Sequence, residues 1–174
     1  LGFGVAPADY DYSSLNLSEM TGCTDVNSDN YGNYQHSVSG SIMVHIPKFF
    51  YKIADTNDSA YATYGVNTVT VVGTDIYDNE TQANLDGFIM PRCFINGGAE
   101  KDGVFVDKYV NSNYNGTMGA SIKNGVPLSL TTSTTYTRTQ SLTGGVGQFL
   151  DAVKFAKARG TNYACNTVFI VGAI

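Results

Sequence analysis

"GFIMPRCFINGGAEKDGVFVDKYVNS", residues 87–112, poses a choice between an active site and a piece of sheet. It gathers a cysteine, an arginine, a double glycine, acids, and a lysine beside a tyrosine. Its patterning favours sheet. "VFVDKY" alternates, with Val104, Val106 and Lys108 on one face and Phe105, Asp107 and Tyr109 on the other. "NGGAEKDG" is rich in turn formers, and "FIMPRCFI" reads as a strand broken at Pro91. The stretch is expected to be two strands and their connector. Cys93 is then a packed side chain, and Asp107, Lys108 and Tyr109 bond locally.

The flanking sequence supports an α+β chain. "SIMVHIPKFFYKIA" (41–54) is rich in β-branched and aromatic residues and is interrupted at Pro47, which predicts an edge position or a bulge. "TVTVVGT" reads as a further strand. "TNDSAYATYGVN" and "DIYDNETQANLDG" read as turn and loop. "GQFLDAVKFAKARG" (147–160) is the clear helix, with Phe149, Ala152, Val153 and Ala156 at helical spacing. Asp151 early and Lys157 and Arg159 late suit the helix dipole, and Gly160 is a natural stop. "TNYACNTVFIVGAI" begins a second apolar element, expected to be helical after Asn166 or Thr167.

Residues 1–40 show no sustained period, and their Asp, Asn, Ser, Gly and Tyr predict an extended arm or a packed loop. The domain proper is expected over 41–174. The chain begins at Leu1 without a basic or long apolar leader and ends inside an apolar run, so it reads as part of a longer protein. A long polar loop with an Asn124-Gly125 turn fills the stretch between "VFVDKYVNS" and the helix.

Composition narrows function. Charged residues make up 14% of the 174, well below the usual share of about 25%. Net charge is −5 and there is no basic block, which argues against nucleic-acid binding. No apolar run is long enough to cross a membrane as a helix. Cys23, Cys93 and Cys165 are widely spaced and odd in number, which argues against a zinc site and suits three buried, reduced thiols, with one disulfide plus a free thiol as the alternative. The neutral, hydroxyl- and amide-rich surface suits an extracellular particle. Sequons at Asn16, Asn57, Asn79 and Asn115 matter only in a eukaryotic secretory setting.

Chemistry-bearing motifs are few. "TDVNSDNYGNYQH" places Asp25, Asn27 and Asp29 at positions one, three and five of a calcium-type loop, with the Tyr31 carbonyl at seven. Asn30 stands where that loop has glycine, and His36 where it has a bidentate glutamate. The competing and favoured reading is a loop of Asx turns. Cys93 with His45 would make a nucleophilic pair, but no spacing supports it. Asp102 and Asp107 as an acid pair have no footing without geometry. "TGGVGQ" lacks the Lys-Ser/Thr of a phosphate loop. No catalytic constellation emerges, and an enzyme is not expected.

Taken in order, "GFGVAP", "DVNSDNYGNYQHSVSGSIMVHIPKFFYKI", "GFIMPRCFINGGAEKDGVFVDKYVNS", "ASIKNGVPLS" and "VKFAKARGTNYACNTVFI" carry a resemblance. The chain resembles the N-terminal half of a family of bacteriophage tail-fibre and host-recognition virion proteins. Their distal part is related to the C-type-lectin-like fold of formylglycine-generating enzymes. The resemblance implies a loop-rich scaffold of small twisted antiparallel sheets with few helices, the "IPKFFYK" and "GVFVDKY" strands as framework, and the helix after "TGG" packed on the sheet. The cysteines of the formylglycine enzymes have no counterpart, so the implied role is not enzymatic. It implies a virion adhesin whose loops meet a host glycan or protein receptor, in contact with other virion proteins. A homo-oligomer is implied too, with fibre trimers as the family example. Tyr31, Tyr34, Tyr61, Tyr64, Tyr114 and Tyr136 are the expected contact residues, because tyrosine offers large contact area at low entropic cost. A purely structural capsid-decoration or assembly subunit is the alternative.

Overall fold

The computed structural model describes residues 19–114, 118–127 and 148–165. Along the chain come β1 (Met20–Gly22), β2 (Tyr34–His36), β3 (Ile42–Pro47) and β4 (Phe50–Ile53). A short helix α1 (Tyr61–Tyr64) and a 3₁₀ turn (Gly65–Asn67) lead into β5 (Val69–Val72). Helix α2 (Glu80–Leu85) and a 3₁₀ turn (Arg92–Phe94) precede β6 (Ile95–Asn96) and β7 (Ala99–Glu100). Then follow β8 (Gly103–Asp107), β9 (Asn111–Tyr114), β10 (Met118–Ser121) and helix α3 (Gln148–Lys157). The protein is a small α+β chain built mostly of small antiparallel sheets. One sheet has the order β1-β2-β3-β8, and three two-stranded sheets pair β4 with β5, β6 with β7 and β9 with β10.

The described residues divide into two compact units, one within 19–45 and 105–165, the other within 46–104. Of the stretch expected as an arm over 1–40, residues 1–18 lie outside the described residues. Its residues 20–22 and 34–36 are strands of the four-stranded sheet. These strands are too short to announce themselves by period. They exist because β2 pairs with β3, Tyr34 opposite Met43 and Gln35 opposite Ile42.

In the first unit, Tyr34, Ile42, Met43, Ala120 and Phe155 form the buried apolar centre. Phe155 is the inward residue of α3, which packs against β10. One guanidinium fixes the end of that helix. Arg159 Nη1 donates to Asp107 Oδ1 at 2.7 Å and Nη2 to Oδ2 at 3.0 Å. Its Nε donates to the Gly119 carbonyl at 2.7 Å, and Nη2 also reaches Asn111 Oδ1. Asn111 Nδ2 closes the ring on Asp107 Oδ2 at 2.6 Å. The fork thus ties α3 to β8, β9 and β10 in a chain that has few charges to spend. The expected local role of Asp107 gives way to a partner 52 residues away.

In the second unit, Ile46, Phe50, Ala83, Phe88, Met90 and Phe94 are buried. The break at Pro47 is real: β3 ends there and β4 starts at Phe50. Lys48, between them, is 6% exposed and donates to the Asp78 carbonyl at 2.8 Å and to Glu100 Oε2 at 3.2 Å. Glu100 Oε1 in turn accepts the Glu80 N–H at 3.0 Å, at the start of α2. The "NGG" of the opening stretch makes a two-residue hairpin turn. Gly97 and Gly98 both have positive φ, 62° and 79°, between the paired Asn96 and Ala99. Such a turn needs residues that tolerate the left-handed region.

Several expected assignments change; a short helix, α1, stands in the expected turn "TNDSAYATYGVN". "FIMPRCFI" is not one strand. Ile89 makes a single bridge to Tyr51, and after Pro91 the chain turns through Arg92–Phe94 before β6. The loop reading of "DIYDNETQANLDG" misses α2. Asn79 caps it, its side chain accepting the Gln82 N–H at 3.0 Å, while Gln82 Oε1 accepts the Asp78 N–H at 2.9 Å. This is close to a capping box, a pattern visible in "NETQ". The region expected as helix after Asn166, and Tyr136, lie outside the described residues.

Removing one partner of a buried, hydrogen-bonded ion pair strands the other. Arg159→Ala is expected to destabilise the protein by about 3–5 kcal/mol in urea unfolding. Arg159→Lys should recover only part of it, because an ammonium cannot reproduce the two parallel bonds. A lysine variant as stable as the parent would show that the fork geometry does not matter.

Candidate functional site

The most built-up surface feature of the first unit is the loop between β1 and β2. Cys23 N–H donates to the Asn33 carbonyl at 2.8 Å and Gly32 N–H to the Cys23 carbonyl at 3.1 Å, which closes its base. Successive turns fill it. Ser28 N–H donates to the Asp25 carbonyl, Tyr31 N–H to the Ser28 carbonyl, and Asn33 N–H to the Asn30 carbonyl, all near 3.0 Å. Side chains finish the turns. Asp25 Oδ1 accepts the Asn27 N–H at 2.9 Å, and Ser28 Oγ accepts the Asn30 N–H at 3.1 Å. Asn33 is buried and its Nδ2 donates to the Asn30 carbonyl at 2.9 Å. This is a compact loop with its ends together, packed by its own polar groups.

Residues just past β8 and β10 pin it. Just past β8, Tyr109 OH donates to Asn30 Oδ1 at 3.0 Å, and Lys108 Nζ reaches the same oxygen at 3.2 Å. Lys108 also donates to the Asp29 carbonyl, and Lys123 pairs with the Asp29 carboxylate. Lys108 and Tyr109 were expected on opposite faces. They converge because β8 ends at Asp107 and alternation ends with it. The tip stays open: Thr24, Asp25, Val26 and Asn27 are exposed.

The geometry of this loop favours the Asx-turn reading over the calcium one. A cation site needs oxygens converging on a point. Here the Asp25 carboxylate is turned onto its own backbone, and Asp29 is engaged by one ammonium on its side chain and another on its carbonyl. The Lys123 contact holds the Asp29 carboxyl below its ordinary range and raises the lysine in return. Both groups are largely exposed, so salt screens the pair. The loop of Asx turns is what is observed. No group of three or more His, Cys, Asp or Glu side chains among the described residues is placed to hold a metal.

The described tyrosines differ in setting. Tyr34 is 2% exposed, and its ring meets Phe105 edge-on at 5.2 Å and His45 at 6.2 Å. It is a core residue, which corrects its expected surface role. Its strand reads buried-exposed-buried over Tyr34, Gln35 and His36, a period-two signal too short to stand out. Tyr31, in the loop, and Tyr114, in β9, are half-buried. Tyr61 and Tyr64 belong to the second unit, where Tyr64 is 64% exposed.

Beneath the loop's exit lies an arrangement that no motif announced. His36 is buried, with Nδ1 2.9 Å from Ser39 Oγ and Nε2 3.8 Å from Glu19 Oε2. The Ser39 N–H donates to Nδ1 at 3.2 Å, which makes that nitrogen an acceptor. The Ser39 hydroxyl must then donate to it, and the Ser41 hydroxyl to Ser39 Oγ at 2.6 Å. Ser41 Oγ accepts the Ser121 N–H at 3.1 Å, and the Ser121 hydroxyl donates to the Ile42 carbonyl at 2.8 Å. The order Ser–His–Glu matches that of a hydrolase triad. Its placement does not: Ser39 is 1% exposed and Ser41 fully buried, so no reacting carbonyl can approach. The relay instead locks the β2–β3 turn onto β10.

The other nucleophile candidate fares likewise. Burial pushes the Cys93 thiol above its ordinary value, which disfavours the thiolate. The same holds for Cys23, where burial outweighs the nearby Lys108. No disulfide joins Cys23, Cys93 and Cys165.

Burial also lowers the His36 pKa, against a smaller opposing pull from Glu19. The folded state therefore resists a proton that the unfolded chain takes up at about pH 6.5. Stability should be full above that pH and fall as pH drops below it. Urea midpoints measured from roughly pH 8 to 5 should show the decline. His36→Gln should flatten that window, and an equal slope in parent and variant would contradict the buried neutral imidazole.

No protein-family model matches the chain, and no curated protein or solved structure matches it.

Proposed function

We propose that the chain is a non-enzymatic bacteriophage virion protein on a C-type-lectin-like scaffold, a tail-fibre, spike or head-displayed adhesin that presents loops to a host glycan or protein. The observation that carries the reading is the loop over Cys23–Asn33, ordered by its own turns, anchored through Asn30, and open at Asp25–Asn27. A recognition loop held in shape before contact loses little entropy on binding. Rigid strands carrying such loops are a common way to separate framework from contact surface. Two features of the resemblance support it. "IPKFFYK" and "GVFVDKY" contribute paired strands, and the helix after "TGG" packs on a sheet strand. Amide and carboxylate groups at the tip suit sugar hydroxyls, and Val26, 68% exposed, adds an apolar contact.

The alternative, a purely structural capsid-decoration or assembly subunit, draws on a different observation. Ile53, Val69, Val71 and Ile89 are all exposed on one side of the second unit's small sheet. Such a surface suits subunit contact more than solvent.

The test is binding of the chain to bacterial surface glycans and to intact candidate host cells. Replacing Asp25, Val26 and Asn27 together by alanine is expected to weaken binding by roughly tenfold or more, about 1.4 kcal/mol, with unfolding unchanged. Unaltered adsorption by the folded triple variant would remove the loop from the contact surface and favour the structural alternative.

A further inference from the structure

The two-stranded sheet of the second unit has one edge already used and one with no partner among the described residues. β4 and β5 pair Phe50 with Val72, Tyr51 with Val71, Lys52 with Thr70 and Ile53 with Val69. In an antiparallel pair, residues that exchange bonds alternate with residues whose N–H and C=O point away. The phase follows from two observations. Ala54 N–H donates to the Thr68 carbonyl at 2.8 Å, so that pair, and with it Lys52–Thr70, bonds inside the ladder. Tyr51 instead exchanges bonds with Ile89 on the far side of β4, at 2.9 and 2.8 Å. On β5, Val69 and Val71 must therefore direct their N–H and C=O groups away from β4, to the outer edge. No partner for them is found among the described residues.

The same two residues expose their side chains, 55% and 59%. Natural edge strands are usually guarded by lysine, proline, a bulge or a cover. From Val66 to Thr74 this chain has none of those residues and no charge: the run is "VNTVTVVGT". It combines high β propensity with neutrality, which is a template for strand addition. Thr70 faces the other way, its hydroxyl donating to Asp58 Oδ2 at 2.6 Å.

The edge is also self-complementary. A two-fold axis through Thr70 sets Val69 of one copy opposite Val71 of the other, and Val71 opposite Val69. Each outward residue then exchanges both of its bonds with an outward residue of the second copy. Valine stands beside valine on the shared face, a favourable cross-strand pair, and like charges do not meet. A second copy meets this pattern by symmetry, with its uncharged valines facing the same residues.

We infer that two copies of this chain associate through their β5 edges, antiparallel and in register about Thr70, forming a continuous sheet across the two-fold axis. The occupant of the edge is a second β5. The inference stands on the ladder phase and not on the adhesin reading, so either can fail alone. A contact of this extent belongs to the weak, concentration-dependent class.

Sedimentation equilibrium of the full chain over a range of concentrations is expected to show a monomer–dimer equilibrium. Val71→Lys places a charge on the edge without disturbing the bonds to β4, and should weaken association by roughly tenfold or more while leaving the circular dichroism unchanged. Thr70→Cys reads the register directly. Facing residues at a non-bonded position have close Cα atoms, about 4.5 Å apart, so mild oxidation should give a covalent dimer. Val66→Cys, exposed but off the axis, should not. A parent that stays monomeric throughout, a Val71→Lys variant that dimerises as well as the parent, or equal cross-linking of the two cysteine variants would overturn the proposal. Polydisperse aggregation without a discrete dimer would overturn the two-fold register.

Discussion

The first unit depends on a single guanidinium. In a chain with so few charges, Arg159 spends its fork on Asp107, its Nε on the Gly119 carbonyl and a further bond on Asn111. It is 5% exposed on its side chain, so each of those bonds is made out of water, where an unmatched donor is costly. The pair fixes the end of α3 against three strands. Gly119 has no room for a side chain there: a Cβ would lie 2.8 Å from Asn111 Oδ1 and 3.5 Å from Phe155. Charge pairing and close packing thus act at the same spot.

From that anchor the display loop follows. β8 is held by Asp107, and the next two residues, Lys108 and Tyr109, turn toward Asn30. The Tyr109 N–H donates to Ser121 Oγ at 2.8 Å, which joins it to the serine–histidine relay under the β2–β3 turn. Loop base, relay and helix end are therefore one hydrogen-bonded assembly within the first unit. The second unit is organised differently, around a phenylalanine-rich centre with a buried lysine, and its distinguishing surface is the uncharged edge of β5.

What the residues alone disclosed was local. The break at Pro47, the strand before Lys108, the glycine turn at Gly97-Gly98 and the helix near Gln148–Lys157 are written in period and turn chemistry within a few residues. What they concealed was pairing at a distance. β1 and β2 are three residues each and form only against β3. The β9–β10 hairpin hides in a polar run whose residues say loop. Asn30 looked like a defect in a calcium motif and is instead the acceptor for two groups from far along the chain, Tyr109 lying 79 residues away. Tyr34 looked like a contact residue because tyrosine-rich loops often bind; one step of alternation buried it. The opening stretch holds β6, β7 and β8 and the start of β9, with a 3₁₀ turn where its first strand was expected.

The central claim is that the loop over Cys23–Asn33 is preorganised. Backbone ¹⁵N relaxation of the free chain tests it most directly. Order parameters of about 0.85 are expected for Ser28, Tyr31, Gly32 and Asn33, matching the strands that flank them. Values below about 0.6 across these residues would mean a loop that orders only on contact, and would contradict the account.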